Sequence, residues 1–155
     1  NGYNHLSIDS LLLASAIDQF VDGDAFPYRP YDNRSGTKRE DPRIVAPGRV
    51  LVVEGIHAFH PAIENRFLLK IFIDSDELTL REMRQRANVS KRGMNPKDAV
   101  FRIQSEWNDF SFIVLPQKHL ANIVVHVSRN YEYSILIAHD HSTFRSHAPA
   151  KLPSR

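Results

Sequence analysis

Three groups of residues in this chain have types and spacings that could do chemistry. The first is a carboxylate closing an apolar run: Val50-Leu51-Val52-Val53 leads into Glu54-Gly55-Ile56. A short Val-rich run without period-2 alternation, closed by Gly, has the pattern of a strand buried on both faces of a parallel sheet. Ligands of such sheets bind outside the carboxyl ends of the strands. Glu54 would then stand where a metal or a substrate hydroxyl is held. Its other reading is a strand-end residue facing water. The second group is cationic. In the stretch 77–91, Arg81, Arg84 and Asn88 fall on one helical stripe, and Arg86, Lys91 and Arg92 add charge. Such a stripe is ordinarily a solvated face. This one follows the end of a second apolar run, Leu68 to Ile73, where phosphates tend to bind. The third group, Tyr28, Tyr31, Asp32, Arg34, Lys38 and Arg39, lies in the Pro-rich stretch 24–48. Aromatic and basic side chains in one loop could clasp a small anionic or ring-bearing ligand; a plain solvated loop is the alternative.

Other chemistries find little support. Among the eight His, His57 and His60 are three apart and His139 and His141 flank Asp140. No His-Glu-x-x-His occurs, and no third ligand has metal-site spacing. There is no Gly-x-Ser-x-Gly elbow and no Gly-x-x-x-x-Gly-Lys-Ser/Thr phosphate loop. With no Cys, neither disulfides nor Cys-based zinc sites are available. A net charge of +2 is too small to imply nucleic-acid binding, and an aromatic-interleaved RNA-binding strand is missing. No apolar run approaches the ~18 residues of a membrane span, and no signal peptide is visible. The expectation is a cytoplasmic protein with no nucleic-acid or membrane partner; a homo-oligomer is compatible with it.

The elements that must position these residues follow from local signals. At 155 residues, 42% of them hydrophobic, the chain can bury one core. Asn1 to Ile8 reads as a lead-in loop. Asp9 is a helix cap, Gly23 a stop, and Leu13, Ala16, Ile17 and Phe20 share a face, so a helix is expected over 10–22. The stretch 24–48 is a long loop or a short hairpin excursion. A short helix begins near Pro61. Leu68 to Ile73 is a second buried strand; with Val50 to Val53 it predicts a parallel pair joined by a right-handed crossover. Asp76 caps a helix over 77–91 whose apolar stripe is Leu80, Met83 and Ala87, ended by Gly93. Asn95-Pro96 opens another, with Val100, Ile103, Trp107, Phe110 and Val114 at core spacing and Pro116 at its end. Ile123 to Val127 is a third strand and Tyr131 to Ala138 a possible fourth. A polar tail runs from His139 to Arg155 and should fray.

The order of these pieces resembles the uridine kinase and phosphoribulokinase family of P-loop kinases. The matching run begins with Tyr3-Asn4-His5 and Ser7-Ile8-Asp9, similar to the family's Asp-His-Pro-Asp segment. It continues through Pro30-Tyr31-Asp32, Val52 to Ile56 and Ile71 to Asp76. The Arg-rich helix then closes in Ser90-Lys91-Arg92-Gly93, and Leu115-Pro116 and Ala121-Asn122-Ile123 follow. The resemblance implies an α/β fold with a parallel sheet covered by helices, and transfer of the ATP γ-phosphate to a nucleoside or sugar hydroxyl with Mg²⁺. It implies that Glu54 lies beside metal and acceptor, that Arg84 reaches the acceptor, and that Arg92 reaches the phosphates. On the substrate side it groups Asn4, Tyr31, Asp32, Arg34 and Ile56, and on the ATP side Arg86 and Lys91. It divides the chain into a kinase-like unit at 1–130, with acceptor and lid portions, and an extra strand and tail at 131–155.

The departures shape the expectation. The P-loop unit and the catalytic-base segment would precede residue 1. The family's acidic ribose contact is replaced by Asn4 or Leu6, its pyrimidine-reading histidine by Gly36, and the lid's later Arg-Asp pair by Ala87-Asn88. An acceptor other than uridine, or a flat preference among nucleosides, is expected. The competing reading is a kinase-like protein without catalysis that serves as a binding or regulatory partner.

Overall fold

The computed structural model describes residue 3 and residues 8–32 and 35–138. Asn4, Arg34 and the tail from His139 lie outside the described residues.

Three of the four expected helices form, and local capping explains their ends. In α1, Ser10–Asp22, the Asp9 carboxylate accepts the Leu12 N–H at 2.9 Å, and Gly23 closes the helix in the left-handed region. The buried face centres on Ala14 and Ile17, packed with Ile63 and flanked by Leu13, Leu51 and Val53. Arg66 fixes α1 from outside, donating from Nε and Nη2 to the two Asp18 oxygens at 2.7 and 2.9 Å. The stretch 24–48 is a hairpin excursion made of two ribbons. In one, β1, Phe26–Tyr28, pairs antiparallel with β4, Arg43–Val45. In the other, β2, Tyr31–Asp32, pairs with β3, Thr37–Lys38. Phe26 is the buried anchor of this region.

The sheet is small and mixed. Here β5, Ile71–Asp74, runs parallel to β6, Ile123–Val127, and β7, Tyr133–Ala138, pairs antiparallel with β6 on its other side. Two corrections follow. The run Val50 to Val53 is not a strand of this sheet: it has no ladder, and Val50 and Val52 are 77% and 80% exposed. Leu51 and Val53 turn toward the α1 core, so one side of the run packs and the other faces out. The expected parallel pair of 50–53 with 68–73 is therefore replaced by β5 with β6. The sheet is also not covered on both faces. Phe72 and Val124 face a core with Tyr3, Phe59, Val114 and Ala121, while Ile71, Ile73 and Ile135 on the opposite face are exposed. The short helix expected near Pro61 is a series of turns ending in a 3-10 turn at Glu64–Arg66.

Between β5 and β6 lie α2, Glu77–Arg92, and α3, Pro96–Asp109. Asp76 accepts the Thr79 N–H at 2.9 Å, and Gly93 terminates α2 in the left-handed region. Asn95 accepts the Lys97 N–H at 2.9 Å and Pro96 opens α3. Past Asp109 the helix widens into a π-helical turn at Phe110–Val114 and tightens into a 3-10 turn at Leu115–Leu120. Pro116 is the physical reason: it has no N–H for the Phe112 carbonyl, and its ring crowds that carbonyl. No described helix is long and apolar enough to cross a membrane.

Candidate functional site

The family-like helix α2 is the best-positioned part of the site. Arg81 and Arg84 of its stripe face α3 instead of open water, and Arg92, one turn on from Asn88, is exposed. Asn88 is buried and accepts from Arg92 Nη1 at 3.2 Å. The Arg81 guanidinium carbon sits 4.0 Å from the centre of the Trp107 ring, and its Nε donates to Glu77 at 2.7 Å. Arg84 Nη2 donates to Glu106 Oε2 at 3.0 Å, and Arg102 Nε donates to Glu106 Oε1 at 2.9 Å. Arg84 also lies over the rings of Tyr3 and Phe110, 5.3 and 5.9 Å from their centres. Burial raises the Tyr3 phenol above its ordinary pKa, and the adjacent Arg84 charge and hydrogen bond oppose that shift. Of the stripe expected as core, Ile103 and Val114 are buried, Trp107 and Phe110 are half-buried, with Trp107 under the Arg81 cation, and Val100 is exposed.

The opposite side of α2 is held by the β6–β7 turn. Arg86 Nη1 donates to the Tyr131 hydroxyl at 3.1 Å, and Arg129 Nη2 donates to Glu82 Oε1 at 2.8 Å. Tyr131 takes a φ of +62°, unusual for a bulky side chain. Lys91 and Arg92 are exposed on the last turn of α2.

Glu54 is exposed, at the end of the unpaired 50–53 run. The following turn is tied down by a residue that the sequence reading missed. Gln117 is buried, and its Nε2 donates to the carbonyls of Ile56 at 3.2 Å and Ile113 at 2.9 Å. Its neighbour Lys118 donates to Asp74 Oδ2 at 2.6 Å. In a 3-10 turn successive side chains diverge by about a third of a revolution, so adjacent residues reach a loop and a strand end. The only available signal was a polar pair just after Pro116.

Tyr31 stands on β2, and its hydroxyl lies 3.7 Å from where a Cβ on Gly36 would be. Tyr31 therefore lines the position where Gly36 carries no side chain. The Gly36 φ of +72° also makes a histidine at that position strained. Asp32 lies beside Tyr31 in the same ribbon and accepts the Gly36 N–H on its carbonyl at 2.9 Å. Among the described residues, no hydrogen bond or ion pair joins Glu54 to Arg84, Arg92 or Tyr31. No three His, Cys, Asp or Glu among them form a metal-ligand group.

The chain thus combines α and β elements, with a mixed sheet and an arginine-bearing helix directly after β5. Comparison with known proteins goes further. Residues 2–134 match the Phosphoribulokinase / Uridine kinase family, and the chain belongs to that family. It is 28% identical over 118 residues to a chloroplastic phosphoribulokinase from Spinacia oleracea, covering 75% of this chain and 29% of that protein. It is 25% identical over 154 residues to uridine kinase-like protein 3 from Arabidopsis thaliana, covering 94% of this chain and 32% of that protein. A uridine kinase from Deinococcus deserti is 26% identical over 126 residues, covering 79% of this chain and 61% of that protein. The chain thus spans less than two thirds of the length of these curated relatives.

Proposed function

We propose that the chain is the acceptor-binding and arginine-helix portion of an ATP-dependent kinase acting on a nucleoside or sugar hydroxyl. Family membership over residues 2–134 carries this reading. In phosphoryl transfer, catalysis is mostly positioning and charge neutralisation, and α2 supplies fixed cations for both. Arg84 would meet the acceptor side, and Arg92, with Lys91 and Arg86, the phosphates. Tyr31 and Asp32 would line the acceptor from the ribbon, with Ile56 on the loop that Gln117 holds. The sequence contains no phosphate loop, so the cradle for the β- and γ-phosphates would come from polypeptide outside 1–155.

The residues present fit Mg²⁺ in one limited way. Among the described residues there is no protein cage, but Mg²⁺ commonly keeps several waters and takes one or two carboxylates plus substrate phosphates. Glu54, exposed at the end of its run, fits as one such ligand. Bound there, Mg²⁺ would neutralise phosphate charge.

Removing a charge-assisted contact costs about 1.5–3 kcal/mol, roughly a factor of ten to a hundred in rate. In the complete protein, Arg84→Ala and Arg92→Ala should lower kcat/KM by at least about tenfold. The melting temperature should hold for Arg92→Ala, which is exposed, and fall modestly for Arg84→Ala, since Arg102 still pairs Glu106. Activity within twofold of wild type for both would make α2 ordinary surface. Complete loss of phosphotransfer in the wild-type protein itself would favour a non-catalytic binding partner.

A further inference from the structure

We propose that Glu106 is a positioning residue for Arg84. The inference rests on the phosphotransfer reading of α2 and extends it to a residue on α3 that makes no contact with either reactant in that reading. The Glu106 side chain is 11% exposed. Its two oxygens are divided between two arginines, Arg102 on its own helix and Arg84 on α2. One arginine would already neutralise a buried carboxylate. The second leaves an excess positive charge at the seam, which a purely structural staple does not require.

The geometry has a direction. Arg102, four residues before Glu106, fixes the carboxylate through Oε1, so Oε2 is held in place for Arg84. Arg84 is then constrained by Glu106, by the Tyr3 ring and by the Phe110 ring. A guanidinium has five N–H donors, and Glu106 engages one nitrogen of it. A planar cation already held on three sides loses little further freedom when it takes up an anionic group. Arg102 orients Glu106, and Glu106 orients Arg84.

The test is steady-state kinetics of ATP-dependent acceptor phosphorylation in the complete protein. Glu106→Gln keeps the shape and one hydrogen bond while removing the charge. It should lower kcat by about tenfold with little change in KM. In an Arg84→Ala background the same substitution should change kcat by less than about twofold, because nothing remains to be oriented. Glu106→Gln that lowers only the melting temperature, beside an impaired Arg84→Ala, would show a helix staple and overturn the proposal. Effects that multiply in the double variant would overturn it too. Wild-type activity in Arg84→Ala would instead sink the reading of α2, and the positioning role with it. Should Glu106→Gln fail to fold, Arg102→Gln on the half-exposed side of α3 carries the same test: a fall in kcat that vanishes without Arg84.

Discussion

Two Val- and Ile-rich runs, each closed by an acidic residue, end differently in this molecule. Ile71–Asp74 becomes β5, paired with β6 from Ile123 to His126. Its end is clamped: Ser75 donates to the Val127 carbonyl, Lys118 holds Asp74, and Asp76 caps α2. Val50 to Glu54 has the stronger strand composition, yet it carries no ladder and no such clamp at Glu54. The difference lies outside both runs. A strand exists through its neighbours' N–H and C=O groups, and of these two runs only β5 has them among the described residues. A buried-strand pattern therefore reports what a segment is built to pack against as much as what it forms.

The largest test of this contrast is on the core. Phe72 is 6% exposed and opposite Val124 in the sheet. Phe72→Ala should destabilise by about 3–5 kcal/mol, whereas Val52→Ala should stay within about 0.5 kcal/mol. Chemical denaturation of both variants decides it. A Val52→Ala cost comparable to that of Phe72→Ala would mean that the 50–53 run is buried in solution after all.

A smaller effect comes from the acid that caps α2 just past β5. The Asp76 carboxyl is held below its ordinary value, chiefly by the hydrogen bond from the Thr79 backbone N–H and then by its side chain. A group with a depressed folded-state pKa contributes fully above its unfolded value, about 3.9 for Asp, and the contribution is lost as pH falls through the folded value. Asp76→Asn can still cap the helix but cannot titrate. Melting temperature against pH should therefore fall less steeply on the acid side in Asp76→Asn than in wild type. Superimposable acid limbs would show that the cap charge does not stabilise α2.

What was legible in the sequence was local. Asp9 and Gly23, Asp76 and Gly93, and Asn95 with Pro96 delimit the helices because caps act within a turn or two. Ile123 to Val127 also read as a strand and Tyr131 to Ala138 as a possible one, which forms over Tyr133–Ala138. Sidedness was not legible. The stripe through Arg81 and Arg84 has the look of a solvated or ligand-facing surface until Glu106 and Trp107 are brought across from α3. Gln117 was invisible because its partners are backbone carbonyls, of Ile56 and Ile113, which no side-chain pattern encodes. The Tyr31–Gly36 contact depended on a hairpin register that a Pro-rich stretch does not announce.

The pairing of β5 with β6 also bears on how the chain folds. The side-chain bonds that frame it, Asn122 Oδ1 to the Lys70 N–H and Ser75 to the Val127 carbonyl, each join residues 52 apart. Inside that span Arg84 and Glu106 meet at a separation of 22. Loop closure costs rise with length, by about 0.6 kcal/mol per doubling, and distant contacts form slowly. The α2–α3 hairpin should assemble first and draw Lys70 toward Asn122, so that the parallel pair closes over a prebuilt spacer. In stopped-flow refolding, the fluorescence of Trp107, the single tryptophan, should change before amides of Ile123 to Val127 gain exchange protection. Protection of β6 ahead of the Trp107 signal would reverse that order and make the sheet the nucleus.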